Sequence, residues 1–216
     1  MTAKTEYEFT LVLSFKDGRE LDRLMVDALY EAGCDDALVG SSNGEIFVDF
    51  TREAPSLLDA ISGAIQNIKE ADIGAQVARI DDRNWLSQAE MARKVGISRS
   101  MMSQYVSGNK GPGGFPAPAG SMRSKGQVWD WSRACLWFRK QNLVSEEVAR
   151  NAEVIAMINN DLERRAQMRR NPLLAIALSA KMKMIEKLLR EKGERKTKVK
   201  QPKKPRAKKA DGHLVN

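Results

Sequence analysis

Hydrophobic and polar positions change their period several times in the first eighty residues. Apolar side chains occupy every second position of EYEFTLVLSF, the period of a half-buried strand. The next apolar stripe repeats at helical spacing up to Gly33, which can cap a helix end, and Asn43-Gly44 forms a turn between two further strand-like runs. Strands are expected at residues 6–15, 36–40, 45–51 and 75–80, and helices at residues 21–32 and from Pro55 onward. The predicted order is βαββαβ.

This order predicts a ferredoxin-like domain over residues 1–84, with an antiparallel sheet that carries both helices on one face. Modules that bind RNA share this plan and stack bases on aromatic side chains, a role for which Phe47 is a candidate. However, residues 1–84 carry 8 Lys+Arg and 17 Asp+Glu, and such a domain repels a phosphate backbone. We call residues 1–84 the acidic head, and we expect it to serve folding, dimerisation or the binding of a protein partner.

A helix-turn-helix pattern lies between residues 87 and 107. Ser87 and Glu90 form the S-x-x-E signature of a helix start, Gly96 supplies a turn, and Ser98 can cap a second helix that ends before Gly108. The positions expected to face inward are Ala92, Val95, Ile97, Met102, Tyr105 and Val106. The outer face, with the lysine that follows it, can donate hydrogen bonds to bases and phosphates through Arg99, Ser100, Ser103, Gln104, Ser107 and Lys110.

The same spacing also occurs in ordinary helical hairpins of globular cores, so the surrounding charge matters. Residues 85–142 carry 9 Lys+Arg and 2 Asp+Glu, and the outer face of the second helix contains no carboxylate. This surplus favours a surface that approaches a polyanion such as double-stranded DNA.

The segment after the second helix carries an aromatic and proline pattern, formed by Phe115, Pro116, Pro118, Trp129 and Trp137. Over about residues 85–141 the chain resembles bacterial winged helix-turn-helix proteins of the excisionase, AlpA and MerR-like types. The resemblance implies a wing, with Arg123 and Lys125 at its tip, and a third helix whose tryptophan packs behind the second. The stretches GCDDALVG and VDFTREAPS resemble the front half of bacterial regulators that join a small αβ domain to such a module. All four tryptophans are expected in the core.

The C-terminal third is helical in pattern and then strongly basic. Residues 143–192 predict a helical extension, with helices at 145–168 and 172–192 and an end at Gly193. The second helix carries an apolar seam suited to a homodimer or to packing on its own domain, formed by Leu174, Leu178, Met182, Ile185 and Leu189.

Residues 193–216 hold 9 Lys+Arg among prolines, a composition typical of disorder. Such a tail can bind phosphates without reading sequence, or it can act only to keep the chain in solution. The candidate phosphate contacts in it are Lys203, Lys204 and Arg206.

Several classes of protein are disfavoured. No apolar run approaches the roughly 20 residues of a membrane span, and no secretion signal opens the chain, so a cytoplasmic location without membrane contact is expected. The single histidine, His213, lies in the basic tail, and Cys34 and Cys135 have no metal-ligating partners at useful spacing. We therefore expect no enzyme, no metal and no cofactor.

Together these patterns predict a protein that binds double-stranded DNA in a sequence-specific way and regulates transcription. The alternative is an antitoxin-like or adaptor protein whose acidic head binds a protein partner.

Overall fold

The computed structural model describes residues 4–82, 84–122 and 126–199. Its internal contacts divide the chain into two units, Met1–Ala166 and Gln167–Asn216. The first unit mixes helices and strands, so the expected α+β class is confirmed.

The acidic head contains a four-stranded antiparallel sheet with the order β2-β3-β1-β4. Its elements follow one another along the chain as β1 (Thr5–Ser14), α1 (Arg23–Glu31), β2 (Ala37–Ser42), β3 (Glu45–Ala54), α2 (Leu57–Glu70) and β4 (Gln76–Ile80). The predicted order βαββαβ and the antiparallel sheet are therefore confirmed, with element ends shifted by a few residues.

One face of this sheet and both helices share a hydrophobic core. The alternation of β1 turns Phe9, Leu11 and Leu13 to the same face, where the buried residues of β3 meet them. Helix α1 contributes Met25 and Leu29, and α2 contributes five buried side chains to the same cluster: Leu57, Ala60, Ile61, Ala64 and Ile68. Since both helices bury their apolar stripes here, the opposite face of the sheet stays open.

Among the described residues, the segment from Trp85 to Lys140 contains three strands and three helices. They are β5 (Trp85–Leu86), α3 (Gln88–Val95), α4 (Arg99–Ser107), β6 (Gly120–Met122), β7 (Gly126–Asp130) and α5 (Trp131–Lys140). The strands form a small sheet of order β5-β7-β6, and the helices share a second core that includes Met91, Met102, Trp129 and Phe138.

Helix α6 (Glu146–Arg170) contacts both cores. Ala149 and Ala152 are buried in the second core, whereas Ile155, Ile158 and Leu162 pack against the core of the head. One helix thus carries two apolar segments in sequence, and each segment covers a different core.

A side chain of α6 also binds the edge of the head's sheet. The amide of Asn159 accepts a hydrogen bond from the Ile80 N–H at 2.7 Å and donates one to the Ile80 carbonyl at 3.1 Å. Because β4 is an edge strand, these backbone groups have no strand neighbour, and the Asn159 amide satisfies both of them.

The described part of the second unit ends in helix α7 (Pro172–Val199). The prediction that Gly193 ends this helix is wrong, because α7 continues through Gly193 to Val199. A glycine inside a helix costs only about 1 kcal/mol relative to alanine, and the Glu, Arg and Lys that follow are good helix formers. None of the helices in the described ranges is long and apolar enough to cross a membrane.

Candidate nucleic-acid interface

Helices α3 and α4 begin at the caps that their sequence predicts. The Ser87 hydroxyl accepts from the Glu90 N–H at 3.3 Å, and the Ser87 N–H donates to the Glu90 carboxylate at 2.9 Å, which completes a capping box. Gly96 takes a left-handed φ of 77° and reverses the chain direction. Ser98 then caps α4 through a bond from the Met101 N–H at 3.1 Å. The sequence therefore fixes the entry of both helices locally.

The inner side of the two helices is tightly packed. Met91 and Met102 are fully buried, and Tyr105 is nearly so. The small side chain of Ala92 is buried in the same core. Val95, Ile97 and Val106 are partly buried against the same core. All six positions that were predicted to face inward do so.

The outer side of α4 is polar along its length. Arg99, Ser100, Ser103, Gln104 and Ser107 are all exposed, as is Lys110 just beyond the helix. At 100° per residue the five helix positions span an arc of about 140°. The structure thus brings these predicted site residues together on one continuous surface.

Two details affect the donors on this surface. The Ser107 hydroxyl donates to the Gln104 carbonyl at 3.2 Å, so its oxygen is oriented as an acceptor toward the outside. Arg99 and Lys110 form no ion pair within the described part of the chain, whereas Lys94 pairs with Asp82 at 3.2 Å and Arg139 with Glu146 at 2.7 Å. Arg99 and Lys110 are therefore cations that a phosphate or base can engage without breaking a salt bridge.

The back of α4 is supported by α5 through aromatic contacts. The Trp137 ring packs edge-on against Tyr105 with centroids 5.2 Å apart and against Phe115 at 5.0 Å. Since Tyr105 lies on the buried side of α4, Trp137 fixes the depth at which α4 sits on the core.

Two indole N–H groups anchor the segment between α4 and β6. Trp137 donates to the Gly113 carbonyl at 2.9 Å, and Trp129 donates to the Pro116 carbonyl at 3.0 Å. A side chain at Gly111 would lie 3.3 Å from the Tyr105 ring, so this glycine allows the segment to approach closely. The sequence pattern identified the aromatic residues but not this anchoring, for which the only signal was the run of glycines.

The tryptophans do not all lie in the core as expected. Trp129, Trp131 and Trp137 are buried, but Trp85 is 46% exposed. Strand alternation explains the difference, because Leu86 turns inward from β5 and its neighbour must then turn outward.

The strands β6 and β7 form a hairpin where the sequence predicts a wing. Gly120 pairs with Val128 and Met122 with Gly126. The predicted wing-tip residues Arg123 and Lys125 lie outside the described residues, as do Lys203, Lys204 and Arg206 of the basic tail.

The open face of the head's sheet is a second candidate surface. It holds a shallow depression of about 590 Å³ that is rimmed by Glu45, Asp49 and Asp81, and Arg79 binds Glu45 there with two contacts of 2.7 Å. The Phe47 ring lies over Gly40 of the neighbouring strand, where an added Cβ would meet it at 2.5 Å. This surface is acidic, and its aromatic ring is already engaged within the sheet.

The thiols take no part in either surface. Burial raises the pKa of both Cys34 and Cys135 to about 11, despite the opposing effect of nearby Arg52 and Lys94 respectively. No group of three potential metal ligands is found among the described residues.

Comparisons of the chain with models of protein families, with curated proteins and with solved structures find no match. A functional assignment therefore rests on the chemistry of the α4 surface and of the acidic sheet face.

Proposed function

We propose that this protein binds double-stranded DNA in a sequence-specific way and regulates transcription, with α4 lying in the major groove. The observation that carries the proposal is the polar outer arc of α4, which combines donors for bases and phosphates with an absence of carboxylates. The tight packing behind the arc supports it further, since a rigid helix can hold side chains at a fixed register against base edges.

The proposal assigns different roles along the arc. Arg99 can donate two parallel bonds to a guanine, and Gln104 can both donate to and accept from an adenine. The serines and Lys110 suit phosphate contacts, which position the helix without specifying sequence. In this scheme Arg99 and Gln104 read bases, and the serines and Lys110 bind the backbone.

The fold assignment belongs to the same proposal. The hairpin β6–β7 beside α3, α4 and α5 is consistent with a winged helix-turn-helix, whose tip would contain Arg123 and Lys125. The sheet order β2-β3-β1-β4 is consistent with a ferredoxin-like head. The basic tail would add affinity for any duplex through Lys203, Lys204 and Arg206.

A second candidate function rests on the open face of the head. Its carboxylates and its shallow depression suit a basic segment of a protein partner, as in an adaptor or antitoxin. This role is compatible with DNA binding by α4, because the two surfaces use different residues.

The test begins by selecting duplexes that the full-length chain retains from a random pool. The selected site and a scrambled duplex are then titrated with wild type, Arg99→Ala and Gln104→Ala. Each variant should lose about 1 to 3 kcal/mol on the selected site and little on the scrambled duplex.

Matched controls are Arg23→Ala and Gln66→Ala, which remove the same exposed side-chain types from the helices of the head. They should bind both duplexes as wild type does. Equal losses of Arg99→Ala on both duplexes would remove base reading from α4, and the absence of any enriched site would overturn the proposal.

A further inference from the structure

The two edge strands of the head's sheet differ in their protection. At the β4 edge, the Asn159 amide binds both backbone groups of Ile80. At the opposite edge, no described strand pairs with the outer side of β2. The sequence of β2, ALVGSS, contains no charged residue and no proline, and its six residues pair with β3 without a bulge. Because charges, prolines and bulges are the usual protection of an edge, β2 is open to the addition of another strand.

The hydrogen bonds between β2 and β3 identify the backbone groups that face outward. The Asp36 carbonyl accepts from the Thr51 N–H at 3.0 Å, so the backbone of residue 36 faces β3. Backbone groups alternate in direction along an antiparallel strand, and residues 38, 40 and 42 therefore face β3 as well. The groups that face outward are the Ala37 carbonyl and both the N–H and the carbonyl of Val39 and Ser41.

The side chains beside β2 on the open face of the sheet are apolar. Leu38 is 70% exposed. Two residues further along the same face, the Phe47 ring covers Gly40, where an added Cβ would meet it at 2.5 Å. A side chain opposite Gly40 on an added strand would therefore contact the Phe47 ring.

The neighbouring carboxylates of β3 are bound on the side away from β2. Glu45 accepts two bonds of 2.7 Å from Arg79 of β4. Asp49 accepts a bond of 2.7 Å from the Thr10 hydroxyl of β1. The edge at β2 therefore presents apolar side chains and free backbone groups, which suit an uncharged strand better than a basic segment.

We propose that β2 pairs in an antiparallel manner with β2 of a second copy of this chain, so that the two sheets become continuous. A twofold axis at Val39 sets this residue opposite its counterpart and sets Leu38 of each copy opposite Gly40 of the other. Leu38 then packs against the Phe47 ring of the second copy. The pairing is isologous, uses the free edge of both copies, and is independent of the function assigned to α4.

Self-complementarity favours a second copy over a different protein. The exposed Leu38 and the covered Gly40 lie two residues apart on one face, which is the spacing that antiparallel pairing around Val39 requires. The outward backbone groups match in the same register. The two Val39 residues exchange a pair of hydrogen bonds, and the Ser41 N–H of each copy donates to the Ala37 carbonyl of the other.

The first experiment measures self-association of the full-length chain by sedimentation equilibrium between about 5 and 500 μM. Wild type should approach twice the chain mass of 24.1 kDa. Leu38→Glu should weaken self-association on the order of a hundredfold, because the twofold pairing buries the new carboxylate twice. Ser41→Pro should also weaken it, because proline removes an outward N–H and leaves the bonds to β3 in place.

The matched control is Leu58→Glu, which makes the same change at an exposed leucine of α2 and should remain dimeric. Circular dichroism should show Leu38→Glu and Ser41→Pro to be folded, since both positions are exposed.

The second experiment tests the register by oxidative crosslinking and uses variants that leave the pairing intact. Val39→Cys should form a disulfide between copies, because the axis sets the two Cα atoms about 5.5 Å apart. Ser41→Cys should crosslink little, because its counterpart lies about 13 Å away along the strand. The native thiols Cys34 and Cys135 are buried.

A monomeric wild type would overturn the proposal, as would dimeric Leu38→Glu and Ser41→Pro variants. Stronger crosslinking of Ser41→Cys than of Val39→Cys would also overturn it. If a monomeric wild type binds a decalysine peptide and Ser41→Pro does not, the edge belongs to a basic partner segment instead.

Discussion

At the scale of single residues, Trp137 supports the α4 surface from the core side. Its ring supports Tyr105 on the buried side of α4, and its N–H holds the Gly113 carbonyl at 2.9 Å. The same side chain thus determines where α4 lies and where the following segment leaves it. A residue of this kind would affect the proposed DNA binding only through the position of other residues.

The substitution Trp137→Phe separates these two effects. It keeps an aromatic ring beside Tyr105 but removes the hydrogen bond to Gly113, which should lower the free energy of unfolding by about 1 kcal/mol. Urea denaturation measures this loss. Trp85→Phe is the matched control, because Trp85 is exposed and should change stability by no more than about 0.5 kcal/mol. Equal effects of both substitutions would contradict the anchoring role of Trp137.

At the scale of elements, local signals in the sequence predicted most of the structure. The caps Ser87 and Ser98 and the turn at Gly96 act over three or four residues, so their effect could be inferred without knowledge of the fold. The alternation of β1 likewise fixed which side chains reach the core. The outer residues of α4 followed directly from these local assignments.

Features that depend on distant contacts were not predicted. The contact of Asn159 with Ile80 joins residues 79 positions apart, and nothing near Asn159 in the sequence indicates its partner. The division of α6 between two cores has the same cause, since Ala152 and Ile155 are neighbours on one helix but meet different elements. The outward turn of Trp85 depends on a two-residue strand whose pairing with β7 is also distant.

The capping box of α3 provides a test at this scale. Ser87→Ala removes the acceptor for the Glu90 N–H and should lower the free energy of unfolding by about 1 kcal/mol. Thermal denaturation followed by circular dichroism measures the change. Ser62→Ala, an exposed position inside α2, is the control and should be neutral or slightly stabilising, because alanine is the better helix former. A neutral Ser87→Ala would mean that tertiary packing alone defines the start of α3.

At the scale of the first unit, α6 connects the acidic head to the second core. Ala149 and Ala152 belong to one core, and Ile155, Ile158 and Leu162 pack on the other. The ion pair between Lys94 and Asp82 adds a polar contact between α3 and the segment that follows β4. The two parts therefore share a structural helix although their charges are opposite in sign.

Removal of the head tests how far the two parts depend on each other. A fragment of residues 85–216 should still bind the selected duplex, because none of the residues proposed to contact DNA lies in the head. Its α6 amides beyond Ala152 should exchange hydrogen faster than in the full chain, because Ile155, Ile158 and Leu162 lose the core residues of the head against which they pack. Hydrogen exchange and duplex titration measure the two results. A folded fragment that fails to bind would show that the head contributes to DNA contact directly.

The amide of Asn159 also has a consequence for the fate of the protein in concentrated solution. An edge strand with free N–H and C=O groups is a template on which another chain can add a strand, and such addition can propagate into cross-β aggregates. Asn159→Ala would uncover Ile80 on β4 and should increase thioflavin-T fluorescence on prolonged incubation, whereas Asn160→Ala, at the exposed neighbouring position, should not. A single side chain, from a helix distant in sequence, would then protect the sheet edge from amyloid-type strand addition.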